Sequence, residues 1–256
     1  EGHIFLIADA SQIEPLILHW LTRNQTMLDL LRGGMDLYEA HARTQKGYTD
    51  PEPLKKKNPG LRSVCKAEYL GLGYRMGKAR YRDVAASVGM ILSPTEADAA
   101  VMRYREANPK VVALWEHFDT LLKSGDKTLQ IELPSGRVVN YWDIQFNYEK
   151  TEKGYPKGFE ARVLMGGPHK RQHGGTFTEN VTQGTARETF GYCLLATEDA
   201  GLYICLHVHD EELVEVRIED AEAATPVLER CMTTPPPWMS DLPMATEVVW
   251  TTKYEK

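Results

Sequence analysis

The stretch Ile204–Val216, "ICLHVHDEELVEV", places apolar and alternating residues on both sides of a charged tip, His209-Asp210-Glu211-Glu212. That pattern predicts two strands joined by a tight turn. Polar tips are ordinary, but adjacent acids on a short hairpin repel one another unless a cation lies between them. A second acid bears on which cation that is. Asp9 ends the apolar run "IFLIAD". Alone, it reads most simply as a cap for the following helix. Together with Asp210 it makes two carboxylates at the ends of buried strands far apart in sequence, and one sheet edge can bring them together. Such pairs suit hard cations such as Mg²⁺, which keep waters and bridge to substrate phosphates. Two ions held this way stabilise the attacking and leaving oxygens of a phosphoryl transfer.

Outward from these strands the chain alternates less regularly. Helices are expected over "PLILHWLTR", over "DLYEAHARTQ" capped by Asp36, and as one long segment from Leu61 to about Ala86. Ser93, Pro94 and Glu96 make a capping box, and Pro109 opens a helix through Leu122. "TLQIELPSGRVVNYW" reads as a hairpin about Pro134-Ser135-Gly136, with a further strand over "FEARVLM". "GYTDPEPLKKKNPG" and "GGPHKRQHGG" read as loops. Thr178–Thr197 and "EDAEAATPVLERCM" are helical, and "TEVVWTTKY" is a last strand. Helices and strands are segregated, so the expected class is α+β, with the terminal strands in one sheet and the helical middle as an insertion.

The bulk numbers set few limits. With 256 residues, 42% hydrophobic and 26% charged, the chain has the composition of a globular protein with a sizeable core. No apolar run approaches the roughly 20 residues of a membrane span, so no membrane partner is expected. The four cysteines form no C-x-x-C pair, which favours buried free thiols in a reducing compartment. A net charge of −6 argues mildly against nucleic acid, yet basic residues cluster at Lys55–Lys57, Arg75–Arg82 and His169–His173. Phosphate binding needs only a local basic face. On "LRSVCKAEYLGLGYRMGK", Arg62, Lys66, Leu70 and Tyr74 recur every four residues and make one slowly winding stripe. It reads either as a solvated edge beside core residues or as a grip for a triphosphate and its base.

Taken in order, "DASQIE", "RSVCKAEYLGLGY" and "HVHDEELVEV" resemble motifs A, B and C of family A DNA polymerases, the polymerase I type. "TQGTARETF" is similar to that family's segment between B and C, and "LPSGRVVNY" and "ENVTQGTARETF" resemble its phage-borne branch. The resemblance runs from Asp9 to the final "KYEK". It implies a palm, 1–23 and 131–256, whose antiparallel sheet carries the carboxylates, and mainly helical fingers, 24–130. It implies that Asp9 and Asp210 hold two Mg²⁺ ions, with Glu211 assisting. His209 would lie near the primer terminus, Glu14 would exclude a ribose 2′-OH, and Gln183 would contact the primer–template minor groove. Arg62 and Lys66 would bind the triphosphate, Lys66 also giving a proton to pyrophosphate. Leu70 and Tyr74 would line the nucleotide pocket.

The implied activity is DNA-templated transfer of dNMP from dNTP to a primer 3′-OH, with DNA primer–template and dNTP as partners, in the cytoplasm of a bacterial or phage-infected cell. Competing possibilities are a single-subunit RNA polymerase, which Glu14 disfavours, and a non-catalytic nucleic-acid-binding module, which the retained charges disfavour. The family's thumb and 3′–5′ exonuclease precede motif A. Only eight residues precede Asp9, so both are expected on another segment or chain, and the strand-like start suggests a fragment or processed product. The sequence departs from the family at Ala10, Pro15-Leu16, Leu70, Arg75 and Glu179. Arg75 stands where glycine is usual, and no sequence argument accounts for it.

Overall fold

In a computed structural model, residues 2–150, 156–164 and 169–254 are described. Strand β1 (His3–Ala10) leads into helices α1 (Ile13–Leu21), α2 (Gln25–Arg32), α3 (Leu37–Gln45), the single turn α4 (Leu54–Lys57), α5 (Pro59–Leu72), α6 (Lys78–Ser87), α7 (Pro94–Ala107) and α8 (Pro109–Lys123). Strands β2 (Leu129–Glu132), β3 (Val138–Lys150), β4 (Pro156–Leu164) and β5 (His169–Gln172) precede the long helix α9 (Gly174–Asp199). The chain closes with β6 (Tyr203–Val208), β7 (Glu211–Arg217), α10 (Ala221–Thr233) and β8 (Thr246–Thr251). Mixed helix and antiparallel sheet is the class expected from sequence.

The chain divides into two compact units, Glu1–Ile17 with Gln183–Lys256, and Leu18–Thr182. These divisions fall at other places than the 23/24 and 130/131 boundaries expected for palm and fingers. In the first unit the sheet order is β6-β7-β1-β8, all antiparallel, so strands from the two ends of the chain share one sheet, as anticipated. Leu6, Ala8 and Val214 are buried in the sheet. Leu228 and Met232 of α10 are buried too, and α10 packs on β1. Each fully buried aliphatic side chain of this kind contributes roughly 1.5–3 kcal/mol.

The second unit contains the other sheet, β2-β3-β4-β5. Tyr141, Ile144 and Val163 from its inner face pack with Phe118, Leu122, Phe177 and Val181 of α8 and α9. Three helix starts follow the sequence signals: Asp36 accepts from Glu39 N–H, Ser93 and Glu96 complete their capping box, and Pro109 opens α8. Asn24 also caps α2, a helix for which no expectation had been drawn.

Four expectations need correction. The segment Leu61–Ala86 is two helices: α5 ends at Leu72 and α6 begins at Lys78. Between them Arg75 lies at φ +67°, which no α-helix continues. The stretch Leu54–Lys57, read as loop, is the turn α4, because Leu54 is fully buried and pins the chain there. His169–Gln172, also read as loop, is β5, held by main-chain pairing to β4 despite its charge, while 165–168 lies outside the described residues. Of the thiols, Cys65, Cys193 and Cys231 are buried, but Cys205 on the edge strand β6 is exposed. Burial pushes Cys65 and Cys193 up to about 12, where thiols are unreactive.

Beneath α5 runs a buried polar network. Glu68, almost fully enclosed, accepts from His41 Nε2 at 2.7 Å, from Tyr81 OH at 2.8 Å and from Lys46 Nζ. Burial alone raises its pKa, but the His41 and Lys46 contacts outweigh that and leave it below the ordinary value. Nearby, His19 is fully buried, with Nδ1 facing the Asn24 amide at 3.2 Å and Nε2 facing Tyr69 OH at 2.8 Å. Asn24 Nδ2 can only donate, so His19 is the neutral Nε2–H tautomer. Burial, reinforced by His41, lowers its pKa to about 3.

The sign follows from linkage. Below pH 6.5 the unfolded chain takes up a proton at His19 that the folded chain refuses, so stability is present above 6.5 and is lost as pH falls towards 3. His19→Gln is expected to flatten the pH dependence of urea unfolding, removing about 1.4 kcal/mol of the loss between about pH 7.5 and 5.5. An unchanged slope would contradict it.

Candidate active site

The hairpin tip is shorter than its charges suggested. Val208 pairs with Glu211, leaving His209 and Asp210 as a two-residue turn, and Glu211 and Glu212 belong to β7. His209 sits at φ +58°, a conformation that costs a non-glycine residue roughly 1–2 kcal/mol. Strain of this sort collects where the surrounding structure over-determines a functional geometry.

Register supplies that over-determination. Asp9 on β1 pairs with Glu211 on one side and with Glu247 of β8 on the other, so three acids lie in one cross-strand row. Ala10 N–H donates to the Asp210 carbonyl at 2.9 Å, placing Asp210 directly beside the end of β1. On the other edge, Thr246 Oγ1 donates to the Asp9 carbonyl at 2.8 Å and Ser11 N–H to Ala245 O at 3.0 Å. Tyr254 OH donates to Glu211 Oε1 at 3.0 Å. Directly opposed like charges destabilise a sheet, and a divalent cation would relieve them. Among the described residues no three acid, histidine or cysteine side chains converge tightly enough to hold an ion by themselves. The donors in this row are all carboxylate oxygens, the kind that hard divalent cations take.

A cleft of about 530 Å³ beside this row is lined by Glu14, Gln183, Arg187, Phe190, His209 and Asp210. Gln183 Nε2 donates to Glu14 Oε1 at 3.4 Å. Within the first unit, then, four expected site residues (Glu14, Gln183, His209 and Asp210) meet at one cleft, and Asp9 and Glu211 adjoin it through the register. Arg187 and Glu247 were not singled out from the sequence. Arg187 had a signal, since it lies four residues after Gln183 on the same helix face. Glu247 had none, because only the β1–β8 register puts it beside Asp9.

In the second unit, α5 carries Arg62, Lys66 and Leu70, whereas Tyr74 falls beyond the helix end and is buried. The expected stripe is cut there. Lys66 and Leu70 line a separate cleft of about 420 Å³ with Ala67, Gly71 and Met76. Leu70 is 45% exposed, which leaves its side chain available to a ligand. Arg62 already has partners: Nη2 bonds Asp36 Oδ2 at 3.1 Å and the guanidinium stacks 4.9 Å over Tyr38. An incoming anion must compete with Asp36 for it.

The model of DNA polymerase family A matches residues 1–256. The chain belongs to DNA polymerase family A. A DNA polymerase of Bacillus phage SP02 is 28% identical, over 100% of this chain and 42% of its own length. A thermostable DNA polymerase I of Thermus aquaticus is 27% identical, over 91% of this chain and 25% of its own. The POL domain of Pol1 from M. smegmatis, solved in complex with DNA primer-template and dNTP, superposes with a TM-score of 0.64 at 20% identity. That fit covers 98% of this chain and 40% of the other. The chain spans less than half the length of these relatives.

One acid next to the site is out of place for a metal ligand. Glu212 is fully buried, receives a single hydrogen bond from Thr197 Oγ1 at 2.8 Å, and its Oε2 has no partner among the described residues. Burial raises its pKa to about 7. An acid raised on folding is stabilising below its unfolded pKa, and that stability is lost as pH rises through 7. Glu212→Gln is expected to raise stability at about pH 8 by about 1–3 kcal/mol and to change little at about pH 4.5, read by chemical denaturation at both. Equal effects at the two pH values would contradict the assignment.

Proposed function

We propose that this chain is the catalytic portion of a DNA-directed DNA polymerase, transferring dNMP from a dNTP to the 3′-hydroxyl of a primer paired to a DNA template. The observation that carries it is the main-chain pairing of β1 with β7, which sets Asp9 opposite Glu211 and Ala10 N–H on the Asp210 carbonyl, so that the two aspartates stand one register position apart at the end of one sheet in a member of family A. Family A DNA polymerases generally use divalent metal ions. When bound, two Mg²⁺ ions would lower the pKa of the primer hydroxyl and neutralise the leaving pyrophosphate.

The chain's own residues have distinct tasks on this account. Asp9 and Asp210 would hold the cations, and Glu211, tethered by Tyr254, would tune the charge beside them. His209, fixed in its left-handed turn, faces the primer terminus. Glu14, oriented by Gln183, fills the space a ribose 2′-OH would need and so selects deoxynucleotides. Gln183 also donates to the minor groove of the primer–template. Lys66 is a mobile point charge suited to phosphate and passes a proton to the departing pyrophosphate. Arg62, released from Asp36, adds a second cation on the triphosphate. Leu70, exposed on α5, forms the apolar side of the nucleotide pocket, and Tyr74, buried just beyond the helix end, must turn outward to join it. Positioning and charge stabilisation are most of what phosphoryl transfer requires. The longer relatives make a second segment, bearing a thumb and exonuclease, the natural partner for grip and proofreading.

The test is extension of a labelled DNA primer on a DNA template with Mg²⁺. Extension is expected with dNTPs and not rNTPs, falling at least about a thousandfold in Asp210→Ala with the fold intact by circular dichroism. Glu14→Ala should admit rNTPs. Equal use of rNTPs by the wild type would favour an RNA polymerase. Binding of primer–template without extension, with the upstream segment added back, would favour a non-catalytic module.

A further inference from the structure

Arg75 follows Tyr74 at φ +67°, where glycine is at ease and a Cβ is not. Its side chain is committed. Nη1 is ion-paired with Asp119 Oδ2 on α8, and Asp119 Oδ1 accepts from Gly174 N–H at 2.7 Å, at the first residue of α9. One carboxylate thus joins the residue after Tyr74 to two helices. The backbone on either side is gripped as well. Trp115 Nε1–H donates to Gly73 O at 2.9 Å. A Cβ on Gly174 would fall 1.9 Å from Trp115 O, and one on Gly175 would fall 2.3 Å from Tyr74 O, so these main chains touch. Tyr74 itself packs with Leu18, Val111 and Trp115. Gly73, Tyr74 and Arg75 are each fixed by α8, α9 or both.

We propose that Arg75 is a positioning residue: through Asp119 it fixes the backbone of Tyr74 at the end of α5, the anchor from which the tyrosine side chain turns to meet the incoming nucleotide. The inference rests on the polymerase function proposed above. It explains how the left-handed arginine is tolerated, since the ion pair offsets the conformational strain. An exposed pair of this kind is ordinarily weak. Here the carboxylate also serves Gly174 N–H, so its position is set before the guanidinium arrives, and little side-chain freedom is lost in pairing.

The measurement is steady-state single-nucleotide insertion, giving KM for dNTP and kcat separately, on wild type, Arg75→Gly, Arg75→Lys, Asp119→Asn and the double variant Arg75→Gly/Asp119→Asn. Glycine suits the backbone, so the fold survives the substitution. Arg75→Gly and Asp119→Asn should each raise KM about fivefold with kcat within about twofold. Arg75→Lys should stay near wild type. The double variant should be no worse than either single change, because both remove one coupling. A wild-type KM in Arg75→Gly, or additive losses in the double variant, overturns the inference while leaving the polymerase function standing. A wild-type chain that inserts no nucleotide, with the upstream segment supplied, removes the ground for both.

Discussion

Glu211, Asp9 and Glu247 stand side by side because backbone hydrogen bonds hold their strands in register. Each neighbouring pair of charges repels by about 1 kcal/mol in water-like surroundings, and the sheet accepts this because its other face is buried. A one-residue slip of β1 would turn Leu6 and Ala8 to solvent, and a slip of β7 would do the same to Val214. The hydrophobic face therefore fixes the acidic row. The turn at His209, the cleft with Glu14 and the placement of Asp210 all depend on that register.

The same economy operates around α5 by other means. Lys66 and Leu70 are exposed on one face of α5, while Glu68 on another is held by His41, Lys46 and Tyr81. Breaking such a network by removing one member is costly, since the remaining charge is left buried. Its role is to hold the helix, and with it Lys66, at a fixed rotation. Arg62 is held in reserve on Asp36 and Tyr38.

Much of this was legible from the residues. An apolar run ending in Asp9 and an alternating hairpin at Asp210 specify strands, and Ser93-Pro94-Thr95-Glu96 specifies a helix start by local chemistry. What was illegible depends on tertiary pairing. "HKRQ" has no strand pattern and becomes β5 only because β4 offers it a ladder. The break after Leu72 carries no proline, and a left-handed arginine is not signalled by its residue type. Glu212 read as part of a solvated tip because charged and polar neighbours precede it; strand alternation turns it inward against Thr197. Glu247 acquires its meaning from a partner at the other end of the chain, through the β1–β8 register.

The central claim is that Asp9 and Asp210 bind divalent cation jointly with a nucleotide and poorly without one. Water-proton relaxation enhancement by Mn²⁺, measured on the protein with primer–template, with and without dNTP, tests it without requiring turnover. The expected result is strong enhancement only when dNTP is present, lost in both Asp9→Asn and Asp210→Asn. Enhancement independent of dNTP, or unchanged in the two variants, would contradict it.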